Sequence, residues 1–218
     1  MVDYLNDDKQ FNVKLTFYAL ADLLDLSLSL QITQLIDQLN ETVLKLAWQS
    51  TDALLQALIM LGSERFISAA VKIQPELEAM AAQLFRRIAK HRMLSIISPI
   101  IFGNIISRCD LDVESEMDVV DAGLVWCWGQ KNRLEACNLV FSRIRTLFLS
   151  VGDKATIRQR IIELPDGEKV LSLVSSLLSS GNGRRCCVIK EHKRRRHVRC
   201  SIPIINRDRS IDMAKLPL

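Results

Sequence analysis

The chain is short of the residues that make turns. Its 218 residues include only 8 glycines and 5 prolines. Sandwiches and barrels spend turn residues every 8–12 positions or so. That scarcity sets them aside and points to helices. Long apolar runs are missing too. No stretch reaches the roughly 18 residues of a membrane-spanning helix, and "LLQALIML" sits inside an amphipathic pattern. The start has no basic region followed by an apolar one, so no secretory signal is expected. Histidine is scarce, with only His91, His192 and His197. A glycine-rich phosphate loop and a G-x-S-x-G turn are both lacking. These gaps lead us to expect a non-enzymatic protein with no cofactor, no bound metal and no small-molecule substrate.

What is present is a large apolar fraction, 49% of residues, enough to bury a core. Charge is distributed unevenly. Residues 184–199 carry eight cations and one acid, a net +7, so the whole chain's +4 leaves the rest at −3. The body is mildly acidic and the tail strongly basic. Six cysteines are scattered through the sequence. Without a secretory context they read as reduced, in the cytoplasm or, by way of the basic run, the nucleus.

Helical periodicity recurs from residue 14 onward. "KLTFYALADLLDL" offers Leu15, Tyr18, Ala19, Ala21 and Leu23 as an apolar set, and 27–47 offers Leu28, Ile32, Leu35, Ile36 and Leu39, with Ser27 or Ser29 as a cap. Ser50 and Thr51 are cap candidates for a helix that stops at Gly62, and a further helix begins at Ser63. Over 74–91, Pro75 reads as a first-turn residue, followed by Glu76 and Glu78 and closed by Arg86, Arg87, Lys90 and His91. That polarity complements a helix dipole. Helices are also expected over 98–109, 115–129 and 132–150, for about eight in all, joined by short connections. Residues 151–180 read as irregular with one short helix, and 181–218 as a basic, disordered tail.

Three stretches carry a family resemblance. Tyr4-Leu5, Asn12-Val13, Ala21-Asp22-Leu23-Leu24 and Leu26 match the closing third of a BTB domain. Leu111, Val113, Ser115-Glu116, Val119, Ala122, Leu124 and Trp126 follow the "L.v.sE..V..A…W" run of a BACK domain. Arg133, Leu139, Ile144-Arg145 and Leu147 match its closing helix. The chain thus resembles the BTB–BACK–Kelch adaptors of ubiquitin ligases. The resemblance implies an all-α fold, a helical bundle or helix-pair repeat. It would comprise the end of a BTB-like domain at 1–45 and a BACK-like domain at 46–150. It implies a protein-interaction module on the substrate-adaptor side of cullin-RING ligases. The front of the BTB domain and the Kelch repeats have no counterpart, so a truncated or divergent member is expected. In the family, the helices after the BTB domain complete a cullin groove. The corresponding apolar residues are Leu54, Leu55, Leu58 and Phe66, which could equally face the core.

Other candidates weaken under geometry. On a helix, Trp126 and Trp128 stand about 200° apart, so they share no stacking face. Trp126 joins Val119, Ala122 and Gly123 as a core anchor, and Cys127 reads as a small buried hydrophobe. Asp110, Asp112, Glu114, Glu116 and Asp118 alternate, but lack the central glycine and terminal glutamate of a calcium loop. Ser115 as cap, with Glu116 and Asp118 in the first turn, is the simpler account. In the tail, Cys186, Cys187, His192, His197 and Cys200 are zinc-competent types, too crowded by cations for a standard finger. Lys193, Arg194, Arg195 and Arg196 could serve nuclear import or contact nucleic-acid phosphates, without aromatics for base stacking. That basic tail is the competing functional reading.

Overall fold

The structure is a computed structural model that describes residues 16–179, apart from the side chains of 67–70. It is all-α, with ten α-helices and no strand among the described residues. Thr16 opens the first helix, α1 (Phe17–Ser29), its hydroxyl accepting from the Ala19 amide at 3.2 Å. Then follow α2 (Thr33–Ala47), α3 (Thr51–Leu61), α4 (Ile67–Gln83) and the single turn α5 (Phe85–Ile88). A 3₁₀ turn at Arg92–Ile96 leads to α6 (Pro99–Ser107), α7 (Glu116–Trp128) and α8 (Arg133–Phe141). The last pair is α9 (Val151–Ile162) and α10 (Gly167–Ser179). Consecutive helices pack side by side through α4, and α6 bridges α4 to α8. One apolar core runs without a break from Leu20 to Leu178.

Several boundaries differ from those expected. The serines at 27 and 29 lie inside α1, not at the start of α2. The Ser27 hydroxyl is buried and donates back to the Leu24 carbonyl at 2.8 Å, so it is spent within its own helix. The buried face of α1 is Leu20 and Leu24, while Tyr18 is 86% exposed. Buried positions on α2 are Leu39, Asn40, Val43 and Ala47, with Ile32 outside. Apolar content was legible there, but not the phase of the stripe.

Pro75 does not start a helix; it sits inside α4. The amide it lacks would have bonded the carbonyl of Val71, which lies on an exposed turn of the helix. Glu78 is therefore a mid-helix residue rather than a dipole partner. Its carboxylate is buried and accepts from Gln74 at 2.7 Å and from Asn104 of α6 at 2.8 Å. Residues 132–150 are not one helix either. The chain leaves α8 after Phe141 and makes a 3₁₀ turn at Thr146–Phe148.

Residues 151–180 are not irregular. Ser150 and Asp153 form a reciprocal capping box that starts α9, at 2.8 and 3.0 Å. Asp166, with φ of 60°, turns the chain into α10. Ile157, Ile161, Val170, Val174 and Leu178 are buried between this pair and the preceding helices. Polar residues separate these apolar positions widely enough to blur the period in the sequence.

Two stability predictions follow from buried polar groups. Both side-chain polar atoms of Asn40 are buried without a hydrogen-bond partner among the described residues, an uncompensated cost of about 1–3 kcal/mol. Asn40→Leu should raise the unfolding free energy by about that amount in urea titration. Burial also raises the Glu78 carboxyl above its ordinary value, outweighing the Gln74 and Asn104 bonds that favour the charged form. The folded state thus binds the proton more tightly than the unfolded one. Stability should fall as pH rises from the usual carboxylate range through the raised value. Glu78→Gln should flatten that slope in pH-dependent denaturation.

Candidate partner-binding surface

The site is built on α7. Asp118 opens this helix, its carboxylate accepting from the amides of Glu114 at 2.8 Å and Ser115 at 3.0 Å. Gly129 ends it, where a Cβ would stand 2.4 Å from that of Ser95. Trp126 faces inward as expected. Its indole is fully buried, donates to the Ile97 carbonyl at 2.9 Å and stacks on Phe102 with centroids 4.6 Å apart. Cys127 is buried beside Cys137 of α8. That neighbour and burial push the Cys127 thiol well up, so it stays protonated.

With Trp126 inward, the opposite side of α7 is turned to solvent. Val125 and Trp128 are each 54% exposed, and Leu124 is half-buried. Arg160 of α9 pairs with Asp121 and brings the end of α9 alongside. Between the two helices lies an apolar groove of about 520 Å³, lined by Leu124, Val125, Trp128, Arg160, Glu163 and Leu164. A second cleft of about 370 Å³ continues from it at Asp121 and Val125 towards Arg86, Lys90 and Asp118. An exposed indole beside aliphatic side chains, with a polar rim, has the make-up of a protein-binding hot spot.

The alternating acids are all committed to partners within the protein. Arg86 grips Asp112 through two bonds, at 3.0 and 3.1 Å, and Glu114 at 2.8 Å. Arg108 takes Asp110 at 2.9 and 2.8 Å. Glu116 is buried rather than exposed at the first turn, and accepts from the Arg145 amide at 3.2 Å. Among the described residues, no group of three or more histidine, cysteine, aspartate or glutamate side chains could hold a metal ion. His91 is also more than a helix-end cation. Its Nε2 lies 2.5 Å from Asp52, and its Nδ1 accepts from the Met93 amide.

The expected partner residues do not form a surface. Leu54, Leu55 and Leu58 are fully buried and Phe66 is 3% exposed. α3 packs against both α2 and α4, and these three leucines lie wholly in the core. Lys193, Arg194, Arg195 and Arg196, with the tail cysteines and histidines, lie outside the described residues. The α7–α9 groove was not foreseen. Its signal was the offset between the two tryptophans, which shows that Trp128 cannot share the core face of Trp126. That offset does not say that α9 stands beside it.

These placements separate stability from binding. Trp128→Ala should change the unfolding free energy by no more than about 0.5 kcal/mol. Trp126→Ala should cost about 3–5 kcal/mol, since it empties a core site and orphans the Ile97 carbonyl. Leu58→Asp should abolish folding, seen as loss of the cooperative urea transition.

No protein-family model, curated protein sequence or solved structure matches this chain.

Proposed function

We infer that the chain is a non-enzymatic protein-interaction module that docks partners on the α7–α9 groove. The observation that carries this reading is the half-exposed Trp128, set beside Val125 and Leu164 in a groove with the Asp121–Arg160 pair at its edge. Large rigid aromatics at apolar, polar-rimmed surfaces supply most of the energy of protein–protein contacts. The run from Ser115-Glu116 to Trp126, which resembles that of BACK domains, supplies the class. On that resemblance the module sits on the substrate-adaptor side of a cullin-RING ubiquitin ligase; with Leu54, Leu55, Leu58 and Phe66 buried, the cullin contact is assigned to the α7–α9 groove instead of the helices the resemblance pointed to.

The competing reading is a nuclear or nucleic-acid-associated protein that acts through Lys193–Arg196, with the helical body as scaffold. One set of measurements separates them. Calorimetric titration of the full chain with a cullin amino-terminal domain should give saturable binding. Trp128→Ala combined with Val125→Asp should weaken it at least about tenfold with unchanged helical circular dichroism. Cullin binding that ignores these substitutions keeps the adaptor class and removes the groove from it. No cullin binding, together with salt-sensitive RNA binding lost on deleting 184–200, would establish the competing reading.

A further inference from the structure

The groove carries more acid than base around its apolar floor. Glu114, just before α7, and Asp118 and Asp121 along its outer side lead to Val125 and Trp128, and Glu163 stands beside the end of α9. The strip holds three cations against these four carboxylates: Arg86 is engaged with Asp112 and Glu114, Arg160 with Asp121, and Lys90 lines the second cleft. Glu163 is exposed and makes no ion pair with any described residue. An occupant that suits this strip brings aliphatic side chains to Trp128 and positive charge to the carboxylates on either side.

One stretch of the chain itself has that composition. Residues 184–199, outside the described residues, combine Val188-Ile189 with the run Lys193-Arg194-Arg195-Arg196. They hold a net +7 against −3 for the rest of the chain. We propose that residues 184–199 bind back into the α7–α9 groove of the same molecule, Val188-Ile189 against Trp128 and Val125 and the basic run against the carboxylates. The reading rests on the groove being a docking face, and it makes the tail a competitor of the partner.

The reach is sufficient. α9 and α10 form a hairpin across a short turn, so the end of α10 at Ser179 lies near the start of α9, away from Arg160 and Glu163. The 13 residues of α10 span about 20 Å, which is the distance the tail must travel back. The residues between Ser179 and Val188 extend to about 30 Å. Slack of that size gives the tail a high effective concentration at the groove without straining the chain. Because Glu114, Asp121 and Glu163 are exposed, the attraction is weak at any one pair and is screened by salt.

The test uses the full chain labelled with 5-fluorotryptophan. It has 3 tryptophans, Trp48, Trp126 and Trp128, whose fluorine resonances are assigned by single Trp→Phe substitutions. The readout is relaxation of each resonance by a soluble paramagnetic probe. In the native chain Trp128 should be shielded. In the chain bearing Lys193→Glu, Arg194→Glu, Arg195→Glu and Arg196→Glu, its relaxation should rise about threefold, as it should for the native chain at about 1 M salt. The buried Trp126 should not respond in either case. A Trp128 resonance equally accessible in both chains overturns the proposal. Shielding that vanishes on dilution also overturns it, by assigning the contact to a second copy. The cullin titration of the same two chains keeps the two readings apart. Trp128-dependent cullin binding of equal strength in both chains upholds the docking face and rejects the tail as its competitor. Shielding of Trp128 with cullin binding that ignores Trp128→Ala upholds the tail contact and removes the cullin from the groove.

Discussion

The indole N–H of Trp126 cannot be buried without an acceptor, and the Ile97 carbonyl supplies it. That bond, with the ring stacked on Phe102, fixes the rotation of α7 about its axis. Everything else on α7 follows from that angle. Val119, Ala122 and Gly123 turn inward with the tryptophan, and a Cβ at Gly123 would stand 2.4 Å from a methyl of Val140. So the α7 backbone at Gly123 sits directly against the Val140 side chain of α8. Val125 and Trp128, on the far side of the same helix, have nowhere to go but outward. The core contact and the exposed groove are two consequences of one hydrogen bond.

A second constraint runs through the joints between helices. Arg108, Glu116 and Arg145 are buried in or beside the segments that link α6 to α7 and α8 to α9. Charges in such places are tolerated only when paired. Asp110 neutralises Arg108 from two residues away. Glu116 reaches the Arg145 amide, and the Arg145 guanidinium lies 3.1 Å from the Cys109 sulfur. This cluster ties the entry of α7 to the exit of α8. The same Ser-Glu pair that looks like an ordinary helix start is therefore a tertiary contact, and Glu116 matters through what it meets across the fold.

How much of this was legible in the sequence depends on the range of the interaction. The all-α class, the Ser50 and Ser115 starts, the Gly62 and Gly129 stops and the inward Trp126 are local or nearly local, and the structure has them. Pro75 misled because its rule concerns hydrogen bonds inside one helix, and an exposed turn relaxes that rule. Glu78 misled because its partner is Asn104, 26 residues away. Leu54, Leu55, Leu58 and Phe66 could have faced a partner or the core as far as pattern goes; α2 and α4, packed against α3, decided it. The α7–α9 groove was out of reach because half of it belongs to α9, a helix whose polar surface hides its period.

The groove stays open for a reason that lies in the order of packing. α9 reaches the body chiefly through α10, and α10 through α8; its contact with α7 is the slighter one, marked by the Asp121–Arg160 pair. To close the gap, α7 would have to roll towards α9 and draw Trp126 off the Ile97 carbonyl. Alternatively, α9 would have to leave the apolar seam of Ile157 and Ile161 against α10. Either move gives up more buried contact than the few side chains of the groove could return. A partially exposed indole is thus kept at the surface by the stability of the helices behind it, which is the condition for a surface that binds without having to fold first.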